Sequence, residues 1–329
     1  MANIDINAIQ IKPHDPFSGY LPLTKESVEK VEKMVQRDFV YGDEGNGGEL
    51  KHFFEEIDQK NTNRDSVLHK IMLIDYTYST NLVKQKSKIT VFDLADNIKR
   101  IENFDKKLEN GDISAVSDIL SKIKKVNLIS FASKYCLNHN RLCYGKDAFS
   151  VYDSVVLKAI PHYVEPKNGD IKSFHSSVKS ISDYESFYNL MSKILELYDA
   201  ELSSSRFANQ KRHVLDHFLW FPNKPSKEEN AIKDLLKICG IKGNISKPFK
   251  NQYITQFLIT PKQILDSEKY EKLKKIPSEL EKKLKVEKVC LVEINTRSDF
   301  VGIEIHKEQK QEDADVFLPP HKSEPWSKA

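Results

Sequence analysis

Cysteine is scarce in this 329-residue chain, glycine is sparse, and long apolar runs are missing. The four cysteines, at 136, 143, 239 and 290, make neither a disulfide framework nor two close pairs of the kind that hold a structural metal. The eleven glycines form no glycine-rich phosphate loop and no nucleotide-binding signature, so ATP-driven chemistry would have to belong to a partner. No apolar stretch approaches the roughly 18 residues of a membrane span, and no membrane partner is expected. The start, MANIDINAIQIKPHDP, lacks the basic segment and apolar core of a secretory signal, which makes the cytoplasm the expected location. A dominant charge sign is missing too: 51 Lys and Arg against 48 Asp and Glu leave +3, so the field of the whole molecule does not announce nucleic acid. No internal repeat is visible.

What is present is ample core material and an uneven distribution of charge. Apolar residues make up 39% of the chain, with 17 Phe and 13 Tyr, and the length predicts two folding units. Residues 1–62 carry 12 acids against 7 bases, residues 81–146 carry 13 bases against 7 acids, and residues 227–288 carry 15 lysines against 9 acids. From about Leu23 to Pro222 the spacing is helical, as in TKESVEKVEKMVQRDFV, SVLHKIMLIDYTYST and ITVFDLADNIKRI. YGDEGNGGE at 41–49 reads as a loop, and ENGD, NRLCYGKD and EPKNGD as breaks between helices. After Pro225 the pattern changes to a lysine-rich helix, a strand in NQYITQFLIT, a helix of about 281–286, and strands in KVCLVEI and FVGIEIH. The expected fold is therefore mostly α, a helical array followed by a small α/β domain. The expected divisions are an N-terminal helical extension at 1–60, a helical domain at 61–224, an α/β module at 226–307 and a disordered polar tail at 308–329.

The chemistry-bearing candidates are few. In SFASKYCLNHN, residues 130–140, a lone cation, Lys134, stands among small and apolar neighbours just after Ser130 and Ser133. If Ser133 lies near a helix start, the positive helix end and the apolar flanks disfavour an ammonium at Lys134. A neutral amine there is a nucleophile toward an electrophilic carbon such as C1′ of a deoxyribose. Nineteen residues on, in SVYDSVV, Asp153 supplies a carboxylate to stabilise oxocarbenium-like charge or to help deprotonate the amine. The plainer alternatives are a solvated lysine on a helix face and an aspartate capping a helix. His213 and His217, four apart on a helix, present two imidazoles with no third ligand evident, and neither a metal nor any other cofactor is expected.

SFASKYCLNHN followed by FSVYDSVV resembles the helix-hairpin-helix DNA glycosylases, in particular the 8-oxoguanine DNA glycosylase branch. There a hairpin of the form L-P-G-x-G-T-K-V-A leads into a helix, and V-P-V-D-T-H-V follows. The resemblance covers roughly residues 60–222 and puts Lys134 at the Schiff-base lysine and Asp153 at the catalytic aspartate. YSTNL at 78–82 is similar to the segment whose asparagine enters the space left by a flipped base, which implies a DNA contact for Asn81. The hairpin glycines are replaced by Leu128, Ile129, Ser130, Phe131 and Ala132. Either Ser130 or Ser133 makes the DNA contact, or duplex binding is weakened. Tyr76, Tyr78, Phe131, Tyr135, Tyr152 and Trp220 are the aromatic candidates for a base pocket, with Tyr78, Phe131 and Tyr152 the expected set.

QYITQFLITP, KVCLVEI and DFVGIEIHKE look like the small α/β domain that precedes the motor of FtsK-type DNA translocases, with Gly302, Ile303, Glu304 and Ile305 carrying the likeness. That implies DNA or a DNA-translocating ATPase as a partner of residues 226–307. The expected function is thus a DNA glycosylase with lyase activity on an oxidised or modified base. Two alternatives remain open: a non-catalytic DNA-binding or interaction subunit of a multi-protein DNA-processing or defence system, and a nucleosidase on the same scaffold.

Overall fold

A computed structural model of the protein describes residues 4–15, 18, 20–40, 46–54, 60–78, 80, 82, 89–121, 128–245, 248–250, 254–261, 267–293 and 301–306. The chain enters through a short strand, β1 (Ile9–Ile11). Thr24 then opens α1 (Lys25–Met34): its hydroxyl accepts from the Ser27 amide, and Val28 and Val31, three apart, turn inward. The helix runs on into a π-helical turn, Val35–Val40. YGDEGNGGE, expected as a loop, is helical from residue 46, while residues 41–45 lie outside those described. In α2 (Asn46–His52) the burial of Leu50 outweighs the poor helix propensity of the two glycines.

Next come α3 (Arg64–Tyr78), α4 (Val91–Lys99) with a reciprocal Thr90–Asp93 capping box, α5 (Phe104–Asn110) and α6 (Ser114–Ser121). Gly111 ends α5 at φ 70°, and a Cβ there would stand 2.4 Å from that of Ala148, so both backbone and space call for glycine. α7 (Ile129–Tyr144) runs through most of the break expected at NRLCYGKD and stops at Gly145. After α8 (Ser154–Ala159) and β2 (Val164–Pro166) follow α9 (Ile171–Lys179), α10 (Tyr184–Leu197), α11 (Asp199–Ser203) and α12 (Lys211–Trp220).

Residue 60 is not a boundary. Met1–Lys224 is one compact unit. β1 pairs antiparallel with β2, Ile9 opposite Pro166 and Ile11 opposite Val164, and α1 packs on α12. These long-range pairings hold the N-terminal segment in the helical domain.

α7 is the centre of this unit: residues 131–140 are all buried, and α3, α5 and α6 pack on it. A helix covered all round must satisfy its own polar side chains. Asn61 does much of this, donating to Asp105 Oδ1 at 2.6 Å, meeting His139 Nε2 at 2.8 Å and accepting from the Tyr135 hydroxyl at 2.5 Å. Buried Lys70 donates to the Lys60 carbonyl at 2.8 Å and approaches His139 Nε2 at 3.3 Å. Burial and the neighbouring Lys70 charge push His139 well below the ordinary histidine range, so its ring is neutral inside the fold.

Pro225–Ala329 is the second compact unit. Ser226 caps α13 (Lys227–Ile238) by accepting from the Glu229 amide. β3 (Gly243–Ile245), β4 (Phe249–Lys250), β5 (Ile254–Pro261), α14 (Ser267–Leu273), α15 (Ile276–Leu284), β6 (Val289–Glu293) and β7 (Val301–His306) complete it. The helix expected at 281–286 begins earlier, because Pro277 falls in its first turn, where a missing N–H costs nothing. The sheet is antiparallel in the order β3-β5-β7-β6, with β4 also on β5. Thr255, Phe257 and Ile259 alternate inward, and the two apolar ones pack with Ile232, Leu236, Leu273 and Leu280. Glu304 of the VGIEI stretch accepts from the Gln256 side chain at 2.8 Å. The tail from residue 307 lies outside the described residues. The protein is thus mostly α, with a small α/β unit at its C-terminal end. Among the described residues no helix is long and apolar enough to cross a membrane.

Candidate functional site

Lys134 and Asp153 meet. Lys134 Nζ donates to Asp153 Oδ2 at 2.7 Å and to Ser130 Oγ at 2.9 Å, and lies 5.6 Å from the centre of the Tyr78 ring. Only 2% of the lysine side chain and 16% of the aspartate side chain are exposed. Asp153 is also the cap of α8: its other oxygen, Oδ1, accepts from the Val155 amide at 2.8 Å. One carboxylate therefore serves as counter-ion and helix cap together, uniting two roles that the sequence left as alternatives.

The start of α7 differs from expectation. The helix begins at Ile129, so Lys134 sits in its second turn rather than its first, and the helix-end field is a turn away from the amine. Ser133 is fully buried; its hydroxyl donates to the Ser130 carbonyl at 3.1 Å and accepts from the Tyr152 amide at 3.1 Å. With its hydroxyl used inside the fold, Ser133 is not placed to meet a phosphate in this arrangement. Ser130 Oγ accepts from Lys134 and keeps its own O–H as a donor. Asn81, the third expected DNA contact, lies outside the described residues.

The expected pocket residues separate. Phe131 is buried in the core, its ring 5.9 Å from that of Tyr135, and is not offered to a ligand. Tyr152 is half-buried, with its hydroxyl given to the Ile181 carbonyl at 2.5 Å and its ring edge-on to Phe187. Tyr78 alone of the three stands against the lysine, and its hydroxyl donates to Asn138 Oδ1 at 3.2 Å. Its ring packs with Phe39 and Trp220, at centroid distances of 5.9 Å each, and Phe39 and Trp220 are 5.6 Å apart. Lys224 Nζ lies 3.7 Å from the Trp220 ring centre. Phe39 comes from the π-helical turn after α1, far from the lysine in sequence, and no local spacing marks it.

α12 holds the loop that carries Asp153. Fully buried Asp216 accepts the Val151 amide through Oδ2 at 3.0 Å, while its Oδ1 has no hydrogen-bond partner. Burial pushes the Asp216 carboxyl well above the ordinary carboxylate range, although the Val151 amide, Arg212 and Arg141 favour its charged form. The neutral acid is the form that the fold prefers. Its stabilising contribution is complete below the unfolded pKa of about 3.9 and is lost as pH rises through the higher folded value. Asp216→Asn keeps an acceptor for Val151 and cannot ionise. Its melting temperature should exceed that of the parent at pH 8 and converge with it near pH 4, and thermal melts at both pH values check this; an Asn variant that is less stable at pH 8 would mean a charged Asp216.

The same helix carries the two histidines, and here a third group joins them. Glu32 of α1 places Oε1 2.8 Å from His217 Nδ1, the two imidazole centroids are 3.8 Å apart, and Arg141 Nη1 donates to His213 Nδ1 at 2.6 Å. Burial, with the adjacent His217 and Arg141 after it, holds His213 well below the ordinary histidine range. Sequence spacing shows the histidine pair but gives no sign of a carboxylate 185 residues before His217.

Fold and site together describe a mostly helical protein organised around a buried lysine–carboxylate pair. Residues 24–143 match the family model HI_0787_N, described as an N-terminal domain. Over 156 residues the chain is 30% identical to a Haemophilus influenzae protein described as an uncharacterized protein, covering 45% of this chain and 71% of that one. The chain belongs to the family of that protein. The span matched by the family model takes in Lys134 and stops before Asp153. No solved structure matches the chain at a significant level.

Proposed function

We propose that the protein is a DNA glycosylase with associated lyase activity, acting on an oxidised or otherwise modified base through Lys134. The observation that carries this reading is the 2.7 Å contact between Lys134 Nζ and Asp153 Oδ2 in a nearly water-free setting. Asp153 takes a proton from the ammonium, and the freed amine attacks C1′ of the sugar. The N-glycosidic bond breaks as the new C1′–N bond forms, and the base leaves with the proton that Asp153 took. The C1′–O4′ bond then opens, a proton passing from the nitrogen to O4′, which leaves the Schiff base. The Tyr78 ring beside the lysine, with Phe39 and Trp220 packed on it, supplies stacking surface for an extruded base. The test is incubation with oligonucleotides bearing 8-oxoguanine and other modified bases in the presence of borohydride, which reduces a Schiff base to a stable covalent adduct. Absence of any adduct across such a panel would overturn the reading.

A second reading rests on burial. A lysine 2% exposed and held by both Asp153 and Ser130 is also what a structural ion pair looks like. The chain would then be a binding subunit. It predicts DNA binding without an adduct and without release of a base.

The second unit fits a role in recruitment. It carries a net six positive charges between 227 and 288, from 15 lysines against 9 acids, and Lys233, Lys237 and Lys242 line a hollow of about 410 Å³. A chain ending at Lys224 keeps a unit with its own core and should stay folded. Its excision from short oligonucleotides should match the parent, whereas its binding to long DNA at physiological salt should weaken, because fewer counterions are released. Insolubility of that fragment, or a folded fragment without activity that the full chain shows, would defeat the division of labour.

A further inference from the structure

Glu32, His213 and His217 come from two helices packed on each other, and nothing in the proposed base excision uses them. We infer that these three residues form a site for a divalent first-row transition metal of the zinc class. Each offers a ligand atom, and all three atoms lie within 4.8 Å of one another. Two imidazoles with one carboxylate suit zinc, and three protein ligands leave a fourth position for water. The spacing of four residues on α12 puts both rings on one helix face, and α1 supplies the acid opposite. Glu32 and His213 are buried and His217 nearly so, which leaves the group only a narrow contact with solvent at His217. A tetrahedral ion about 2.0–2.2 Å from each donor needs donors roughly 3.3 Å apart. Closing from the present separation calls for side-chain movement of about an ångström or so, within reach of small χ adjustments.

Arg141 shapes how the metal enters. Its hydrogen bond takes His213 Nδ1, which leaves Nε2 as that ring's ligand atom. In the neutral ring that accepts from Arg141 the proton stands on Nε2, so coordination there needs the proton to move to Nδ1 and the Arg141 hydrogen bond to break. The guanidinium also opposes a second cation nearby, so the affinity falls below that of a closed structural zinc centre. Arg141 lies seven residues after Lys134, about 10 Å along α7 at the α-helical rise. The metal's ligands are not among the groups that hold Lys134, and the ion acts as a clamp between α1 and α12.

The test uses the full chain, stripped with a chelator and desalted. It is titrated with zinc chloride by calorimetry and with cobalt chloride by visible absorption. The expected result is one equivalent per chain, the absorption of low-coordinate cobalt, and a higher melting temperature with zinc than without. Glu32→Gln, close to isosteric, and His217→Ala should each weaken binding by at least about tenfold, a loss seen even when only outer-shell partners of a metal are removed. Arg141→Gln should tighten it. No saturable binding by the parent, or binding unchanged in both ligand variants, overturns the inference. The readout is metal occupancy, so it fails or succeeds separately from the borohydride adduct that tests base excision.

Discussion

Lys134→Met should fold and yield no borohydride-trapped adduct with any modified-base oligonucleotide that traps the parent. Methionine fills a similar unbranched volume, so the surrounding core keeps its packing while the amine is gone. Removing one member of a buried ion pair costs about 3–5 kcal/mol when the other charge is left stranded. Here the loss should fall at or below the lower end of that range. Asp153 is 16% exposed and retains the Val155 amide, so its charge is not abandoned. Denaturant melts and gel-shifted adducts on one preparation check both halves. An adduct at the parent level would assign the chemistry to another amine.

Asp153→Asn should separate the two roles of that side chain. Asparagine caps helices about as well as aspartate, so α8 should keep its start. What disappears is the charge facing Lys134 Nζ, and a 2% exposed ammonium then remains with Ser130 Oγ and the Tyr78 ring. The expected cost is about 3–5 kcal/mol of stability, and the chemical step should slow by about 100-fold or more while binding changes little. Asp153→Ala removes the cap as well and should lose a further ~1 kcal/mol. Single-turnover rates beside thermal melts distinguish the outcomes. A variant as stable as the parent would show that the pair does not help hold the fold, and one as fast would remove Asp153 from the reaction.

What sequence made legible is what has a local period or a local cap. The helix in TKESVEKVEKM, the break at ENGD and the strand in QYITQFLIT all follow from residue types and spacing within a few positions. The resemblance to the glycosylases implied one site for Lys134 and Asp153, and the two side chains do meet. What escaped depends on distant partners. Glu32 faces His217 only because α1 lies on α12, and Phe39 reaches Tyr78 from a π-helical turn. Ser133 looked available for DNA because sequence does not show that the Tyr152 amide claims it. The division at residue 60 followed the extent of the resemblance, while β1 pairs with a strand at 164–166. In each case the deciding contact has a sequence separation that no periodicity records.

The unbroken burial of residues 131–140 has a dynamic consequence. Amide protons along this part of α7 lie in a helix whose side chains are covered on every face. They should exchange with deuterium among the slowest in the chain, at the rate of global rather than local opening. Lys134 is therefore mounted on a segment that does not breathe by itself. If a substrate is to reach its amine, the motion must come from the cover, from Tyr78 and the rings packed on it, while the helix beneath stays closed. Deuterium uptake compared with and without DNA would show protection changing at Tyr78 and Phe39 with α7 unaltered.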